Sequence, residues 1–128
     1  MDKIYLRESD RLEVTILIDN YTDIFMTPNK DVDKRLSPSE SILAEHVLSC
    51  LIKVFSGSEE YLILMDTGMS SKCFFNNINA LNVDINKIDS VILSHGHFDH
   101  IGGLVALFNQ VSNEIPLILH PEAFLERF

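Results

Sequence analysis

No stretch of this 128-residue chain is apolar for long enough to cross a bilayer. The longest apolar runs, such as YLILM at 61–65, fall far short of the roughly 20 residues that a spanning helix needs. The opening segment, MDKIYLRESD, holds no apolar stretch of the signal-peptide kind. The expected location is therefore cytoplasmic, with no membrane partner. Cysteine is scarce as well. Cys50 and Cys73 both sit in apolar surroundings, VLSCLI and KCFF. Without a secretory signal a disulfide is not expected. Small buried hydrophobes fit these two positions better than reactive or metal-bound thiols. Basic residues are outnumbered, with 10 Lys and Arg against 19 Asp and Glu and a net charge of -9. Nucleic-acid binding draws its affinity from a basic face, and none is visible here. The densest basic feature, DVDKR at 31–35, carries its own acids. An acidic balance favours solubility and a capacity for cations.

What is present suffices for one ordinary domain over residues 1–128. Hydrophobic residues make up 46% and charged residues 23%, so a core is available. LEVTILID (12–19) reads as a buried strand. A polar segment with Pro28 and Pro38 follows at 20–41, and a loop of that length is usually functional or mobile. ILAEHVLSCLIKVF (42–55) is ambiguous by periodicity, but its second half, LSCLIKVF, reads as a strand. SGSEE is a turn, and YLILMD (61–66) is a second strand, so the two predict a hairpin. Ser70 or Ser71 can cap a helix with Cys73, Phe74, Asn77, Ile78 and Leu81 along one side. IDSVILS (88–94) and IPLILH (115–120) predict further strands. Between them, Leu104, Leu107, Phe108 and Val111 recur at helical spacing behind a glycine pair. Pro121 suits the first turn of a terminal helix, PEAFLERF. The order is a hairpin followed by βαβ-type alternation. It predicts an α+β chain, a mixed β-sheet flanked by helices on at least one face.

The chemistry concentrates in SHGHFDHIGGL (94–104). Three of the five histidines and one aspartate fall in His95-x-His97-x-Asp99-His100. His95 and His97, two apart at a strand end, can lie on one side and grip one metal ion. Asp99 and His100, on the turn into the helix, can grip a second. Imidazole and carboxylate suit Zn, Mn or Fe rather than Ca or Mg. Gly102 and Gly103 let the backbone turn tightly behind the ions. Two ions about 3.5–4 Å apart can share a hydroxide that is nucleophilic near neutral pH.

This stretch resembles the signature of the metallo-beta-lactamase-fold hydrolases, H-x-H-x-D-H. The resemblance implies that His95 and His97 serve one metal and Asp99 and His100 the other, with zinc the usual ion and Mn or Fe possible. It also implies a catalytic part for Asp99 as proton acceptor from the bridging water. LMDTG (64–68) is similar to the family's earlier D-T-G element, so Asp66 would support the metal site through hydrogen bonds. ILIDNYTD (16–23) and LAEHVLSCLI (43–52) resemble the dihydropterin-ribofuranosyl-aminobenzene phosphate synthase-like branch. That branch usually has glycine where this chain has Val47, and it would bring His46 near the substrate. The branch name says little of substrate, because one fold hosts many reactions.

The family fold is an αβ/βα sandwich, and the resemblance covers only its front half. The back half would supply a third histidine for one metal, a bridging aspartate, and a last histidine for the other. After His100 this chain has one histidine, His120, and no aspartate. His120 either approaches the metals or simply ends a strand. The expectation is a metal-dependent hydrolase acting on a small-molecule ester, phosphoester, thioester or amide. The rival is a catalytically incomplete metal-binding or assembly module that needs a partner chain. Either way, an uncovered sheet face predicts a homo-oligomer or association with the missing C-terminal half.

Overall fold

The computed structural model describes residues 7–21, 23, 25–32 and 41–125. Their centre is one five-stranded sheet in the order β1-β2-β3-β4-β5. The strands β1 (Arg11–Ile18), β2 (Ser49–Ser56) and β3 (Glu59–Met65) form an antiparallel meander. The predicted hairpin closes at Gly57, whose φ of +62° suits a residue without Cβ. Helix α1 (Ser71–Ala80) then carries the chain to β4 (Ser90–Ile92), which pairs parallel to β3. Two short helices, α2 (Phe98–Ile101) and α3 (Leu104–Gln110), lead to β5 (Leu117–Ile118), parallel to β4. A 3-10 turn at Pro121–Phe124 follows. The mixed sheet with its helices is the architecture expected of the metallo-beta-lactamase-like front half.

Several expectations need correction. β4 and β5 hold three and two residues, not the full lengths of IDSVILS and IPLILH. Apolar runs of that kind satisfy a core without every residue joining a ladder. The glycine pair opens α3 at Leu104 as expected, but a separate short helix, α2, already runs from Phe98, so Asp99 and His100 lie on a helix rather than on a turn. The terminal helix is only a 3-10 turn with Pro121 in its first turn; residues 126–128 of that expectation lie outside the described residues. The described part of the 20–41 segment holds no helix or strand, and 22, 24 and 33–40 lie outside it.

α1 shows why local sequence succeeds where it does. Ser70 is its N-cap, extended in backbone, and its Oγ accepts from Cys73 N at 3.1 Å. Cys73, Phe74, Asn77 and Ile78 form the buried side, as their spacing predicts. Cys73, Phe74 and Ile78 pack with Leu17, Leu51, Leu64, Val91 and Leu107 in a single cluster on one sheet face. Asn77 is fully buried yet satisfied: its amide donates to Leu17 O (2.6 Å) and Leu43 O (2.8 Å) and accepts from Leu43 N (2.9 Å). One side chain thereby ties α1 to β1 and to the segment before β2. Both cysteines are free and buried, as expected. Val47, where the branch has glycine, is buried in the same core.

The opposite sheet face is open. Leu12, Val14 and Ile16 of β1 alternate outward and are 57%, 58% and 49% exposed. Their ladder partners continue the face through Ile52 and Val54 to Ile63 and Met65, all half-buried, and then Ile92. Exposed Ile118 ends it. This stripe carries no charged residue from Leu12 to Ile118. Period-two alternation has put apolar side chains on both sides of the sheet, and helices cover one side only.

Candidate metal centre

The motif sits where β4 ends, and Asp66 occupies the matching end of the neighbouring strand β3. Asp66 is 2% exposed and holds a left-handed φ of 56°, uncommon for a residue with a side chain. Its backbone N–H donates to Ile92 O at 3.0 Å, which fixes the residue beside the motif. Its carboxylate collects three donors. Oδ1 accepts from Ser94 N at 2.8 Å, and Oδ2 accepts from Ser94 Oγ at 2.6 Å and from His100 Nδ1 at 2.8 Å. A carboxylate only accepts, so the proton in the last bond belongs to His100 Nδ1. In the neutral ring that leaves His100 Nε2 with its lone pair free, the form a metal requires.

The three motif histidines lie together. The rings of His95 and His97 have centroids 4.4 Å apart, and those of His95 and His100 are 4.1 Å apart. His95 titrates below the ordinary imidazole range. Partial removal from water is the largest cause, and the neighbouring His100 and His97 add to it, against opposition from Asp66 and Asp99. The ring therefore favours its neutral, ligand-competent form. Asp99 Oδ2 lies 3.8 Å from His100 Nε2, beyond hydrogen-bond length but close enough for both to reach one small ion. As donors, imidazole and carboxylate fit a borderline cation such as zinc. Among the described residues, however, no three His, Cys, Asp or Glu side chains already stand as an ion-holding group.

The glycine pair does something other than turn the chain. Gly102 and Gly103 have φ of -61° and -89°, ordinary helical values that any residue adopts. Their need for hydrogen is steric. A Cβ on Gly102 would collide with the Met69 carbonyl, and one on Gly103 would lie 2.8 Å from Thr67 O and 3.0 Å from the Phe74 ring. Bare backbone lets α2 close on the Asp66–Met69 loop. Gly102 N donates to Gly68 O at 2.8 Å, and Thr67 N donates to His100 O at 2.9 Å. Gly96, between the first two histidines, is pressed against the Ala123 carbonyl in the same way.

His46 and His120 lie on separate segments, before β2 and after β5. His46 is exposed, one residue beyond Glu45. Glu45 itself accepts from Ser70 N at 3.0 Å and from Ser70 Oγ, clamping the segment before β2 onto the start of α1. His120 caps the 3-10 turn, its Nδ1 accepting from Glu122 N at 3.3 Å. Among the described residues neither is hydrogen-bonded to the motif histidines or Asp66. Two participants escaped the sequence reading, Ser94 and Glu45. Ser94 was signalled only by a hydroxyl directly before His95; Glu45 had no distinguishing signal. A cleft of about 260 Å³ lined by Arg7, Ser9, Val54, Ser56, Glu59 and Tyr61 lies at the opposite end of β2 and β3 and contains none of the motif residues.

Residues 45–127 match the family model described as the metallo-beta-lactamase superfamily. The 7,8-dihydropterin-6-methyl-4-(beta-D-ribofuranosyl)-aminobenzene-5'-phosphate synthase of Methanocaldococcus jannaschii is 40% identical over 85 residues, 66% of this chain and 29% of the relative. An uncharacterized protein of the same organism is 30% identical over 89 residues, 70% of this chain and 33% of the relative. The chain thus spans about a third of the length of the curated relatives it matches. Among solved structures, Rm3 metallo-beta-lactamase aligns with a TM-score of 0.47 and 27% identity, over 64% of this chain and 29% of that one.

Proposed function

The chain belongs to the metallo-beta-lactamase superfamily, and from that premise we propose that His95, His97, Asp99 and His100 hold divalent metal ions in a hydrolytic site. The bond cleaved is an ester, phosphoester, thioester or amide of a small molecule. The observation that carries this reading is the bond from His100 Nδ1 to Asp66 at 2.8 Å. A buried carboxylate that holds an imidazole with its Nε2 outward has the form of a histidine prepared for a metal. Zinc, with manganese or iron as substitutes, would act here as a Lewis acid and make water a better nucleophile near neutral pH. His95 and His97 would present two imidazoles to one ion, and Asp99 with His100 would face the other. Asp99 would also take the proton that the attacking water gives up. Asp66 and its loop would keep His100 from turning. The 40%-identical relative is named a synthase, so hydrolysis is drawn from the superfamily and not from that name.

Elemental analysis of the purified chain tests the assignment. Metal is expected to bind near stoichiometrically at saturation, and His97→Ala is expected to lower it and to abolish any hydrolysis of p-nitrophenyl phosphate or acetate. Unchanged metal content in the variant overturns the reading.

The open sheet face favours a second reading, a module that is catalytically incomplete alone. In a preparation of this chain the occupant of that face would be a second copy. The stripe from Leu12 to Ile118 has no charged residue, so two such faces meet without like-charge repulsion despite a net charge of -9. Light scattering is expected to report a dimer or larger assembly. A cooperatively folding monomer refutes self-association.

A further inference from the structure

Ser94 makes two hydrogen bonds whose combination constrains the proton on His95. Its Oγ lies 2.6 Å from Asp66 Oδ2 and 2.9 Å from His95 Nδ1. A hydroxyl has one proton and two lone pairs. Asp66 also receives His100 Nδ1–H at Oδ2 and Ser94 N–H at Oδ1, which marks it as an acceptor throughout. Two acceptors 2.6 Å apart would repel, so the Ser94 proton must point at Asp66. The Ser94 oxygen can then only accept from His95, and the proton between them belongs to His95 Nδ1. His100 Nδ1, at 3.4 Å, is already committed to Asp66.

We propose that Ser94 is a positioning residue that relays the acceptor character of Asp66 to His95, setting its tautomer and turning its Nε2 lone pair outward. One buried carboxylate then prepares two histidines, His100 directly and His95 through a hydroxyl. Two rings from opposite ends of the motif are held in the same protonation pattern before any ligand arrives. His97 has no such partner among the described residues, so its tautomer is left to solvent. The relevance to metal affinity rests on the metal-binding reading above; the tautomer itself does not.

Nitrogen-15 NMR of the metal-free chain, above the imidazole titration range, tests the relay. His95 is expected to show Nδ1 protonated and Nε2 bare. Ser94→Ala is expected to raise the Nε2–H form of His95 to the major species and to weaken zinc binding about tenfold, the low end for loss of such a partner. Ser94→Thr, which keeps the hydroxyl, is expected to restore both. Ser94 is exposed, so truncation opens no cavity; should the alanine variant fail to fold, Ser94→Cys against Ser94→Thr makes the same comparison. A wild-type His95 that carries its proton on Nε2 overturns the proposal, as does a Ser94→Ala variant with unchanged ring shifts. If the wild type binds no zinc, the metal-site reading fails, while the ring shifts still decide the relay.

Discussion

Replacing Asp66 by alanine should be among the most damaging single changes outside the apolar core. The carboxylate is 2% exposed and accepts three hydrogen bonds of 2.6–2.8 Å. A hydrogen bond to a charged group contributes about 1.5–3 kcal/mol, and a buried donor left without a partner costs a similar amount. The three do not add, since they share one carboxylate and Ser94 supplies two of them. Ser94 Oγ and the His100 ring are partly open to water and can be rehydrated. Roughly 2–3 kcal/mol remains for the lost bonds. Alanine must also hold φ at 56°, which aspartate tolerates better, and this difference adds up to about 1 kcal/mol. The expected total is about 3–4 kcal/mol, a large share of a typical folding free energy. Asp66→Gly separates the two contributions, because glycine loses the same bonds without backbone strain and should cost about 1 kcal/mol less than alanine. Urea unfolding followed by circular dichroism measures both. At a slope of about 2 kcal/mol/M, the alanine midpoint should fall by roughly 1.5–2 M. A loss below about 1 kcal/mol at unchanged slope would show that the network carries little energy. A glycine variant no better than alanine would show that the left-handed φ is not strained.

Three further outcomes are expected. Gly102→Ala should cost about 2–4 kcal/mol, because its Cβ meets the Met69 carbonyl and pushes Gly102 N from Gly68 O. Gly57→Ala, with φ of +62° and open space around it, should cost only about 1 kcal/mol; the reverse ranking in thermal unfolding contradicts the close-approach account. Asn77→Asp keeps the side-chain shape but turns two donors into acceptors facing Leu17 O and Leu43 O, so unfolding should become easier by about 3 kcal/mol or more; a shift within 1 kcal/mol refutes the assigned amide orientation. Burial first, and the negative charge of Glu45 second, push the Cys73 thiol from 9.0 up to about 11. The folded state holds that proton more tightly, so its stabilising effect is complete below pH 9 and is lost as pH rises toward 11. Iodoacetamide near pH 9 should label the unfolded chain and spare native Cys73, and labelling at equal rates refutes the shift.

Whatever could be inferred from neighbours within one or two helical turns was legible in the sequence. The strands at 12–19 and 61–66, the hairpin between β2 and β3, and the Ser70 cap of α1 follow from alternation, turn residues and a short polar side chain. These signals are local, and nothing distant competes with them. The histidine motif was legible for the same reason, since its donors are packed into six consecutive positions. The short helix α2 was missed because four residues carry no periodicity, and the glycines that open α3 also serve close contact with the Thr67–Met69 backbone.

Tertiary structure alone decided how the motif is held. Asp66 meets Ser94 and His100 across 28 and 34 residues of chain, and the proton positions on the rings depend on those meetings. No periodicity encodes them; they exist because β3 and β4 lie parallel and end side by side. The open apolar face is tertiary in the same sense. The sequence determined that both sides of the strands are apolar, and only the placement of α1 and α3 on one side decided which is covered and which is left for another surface.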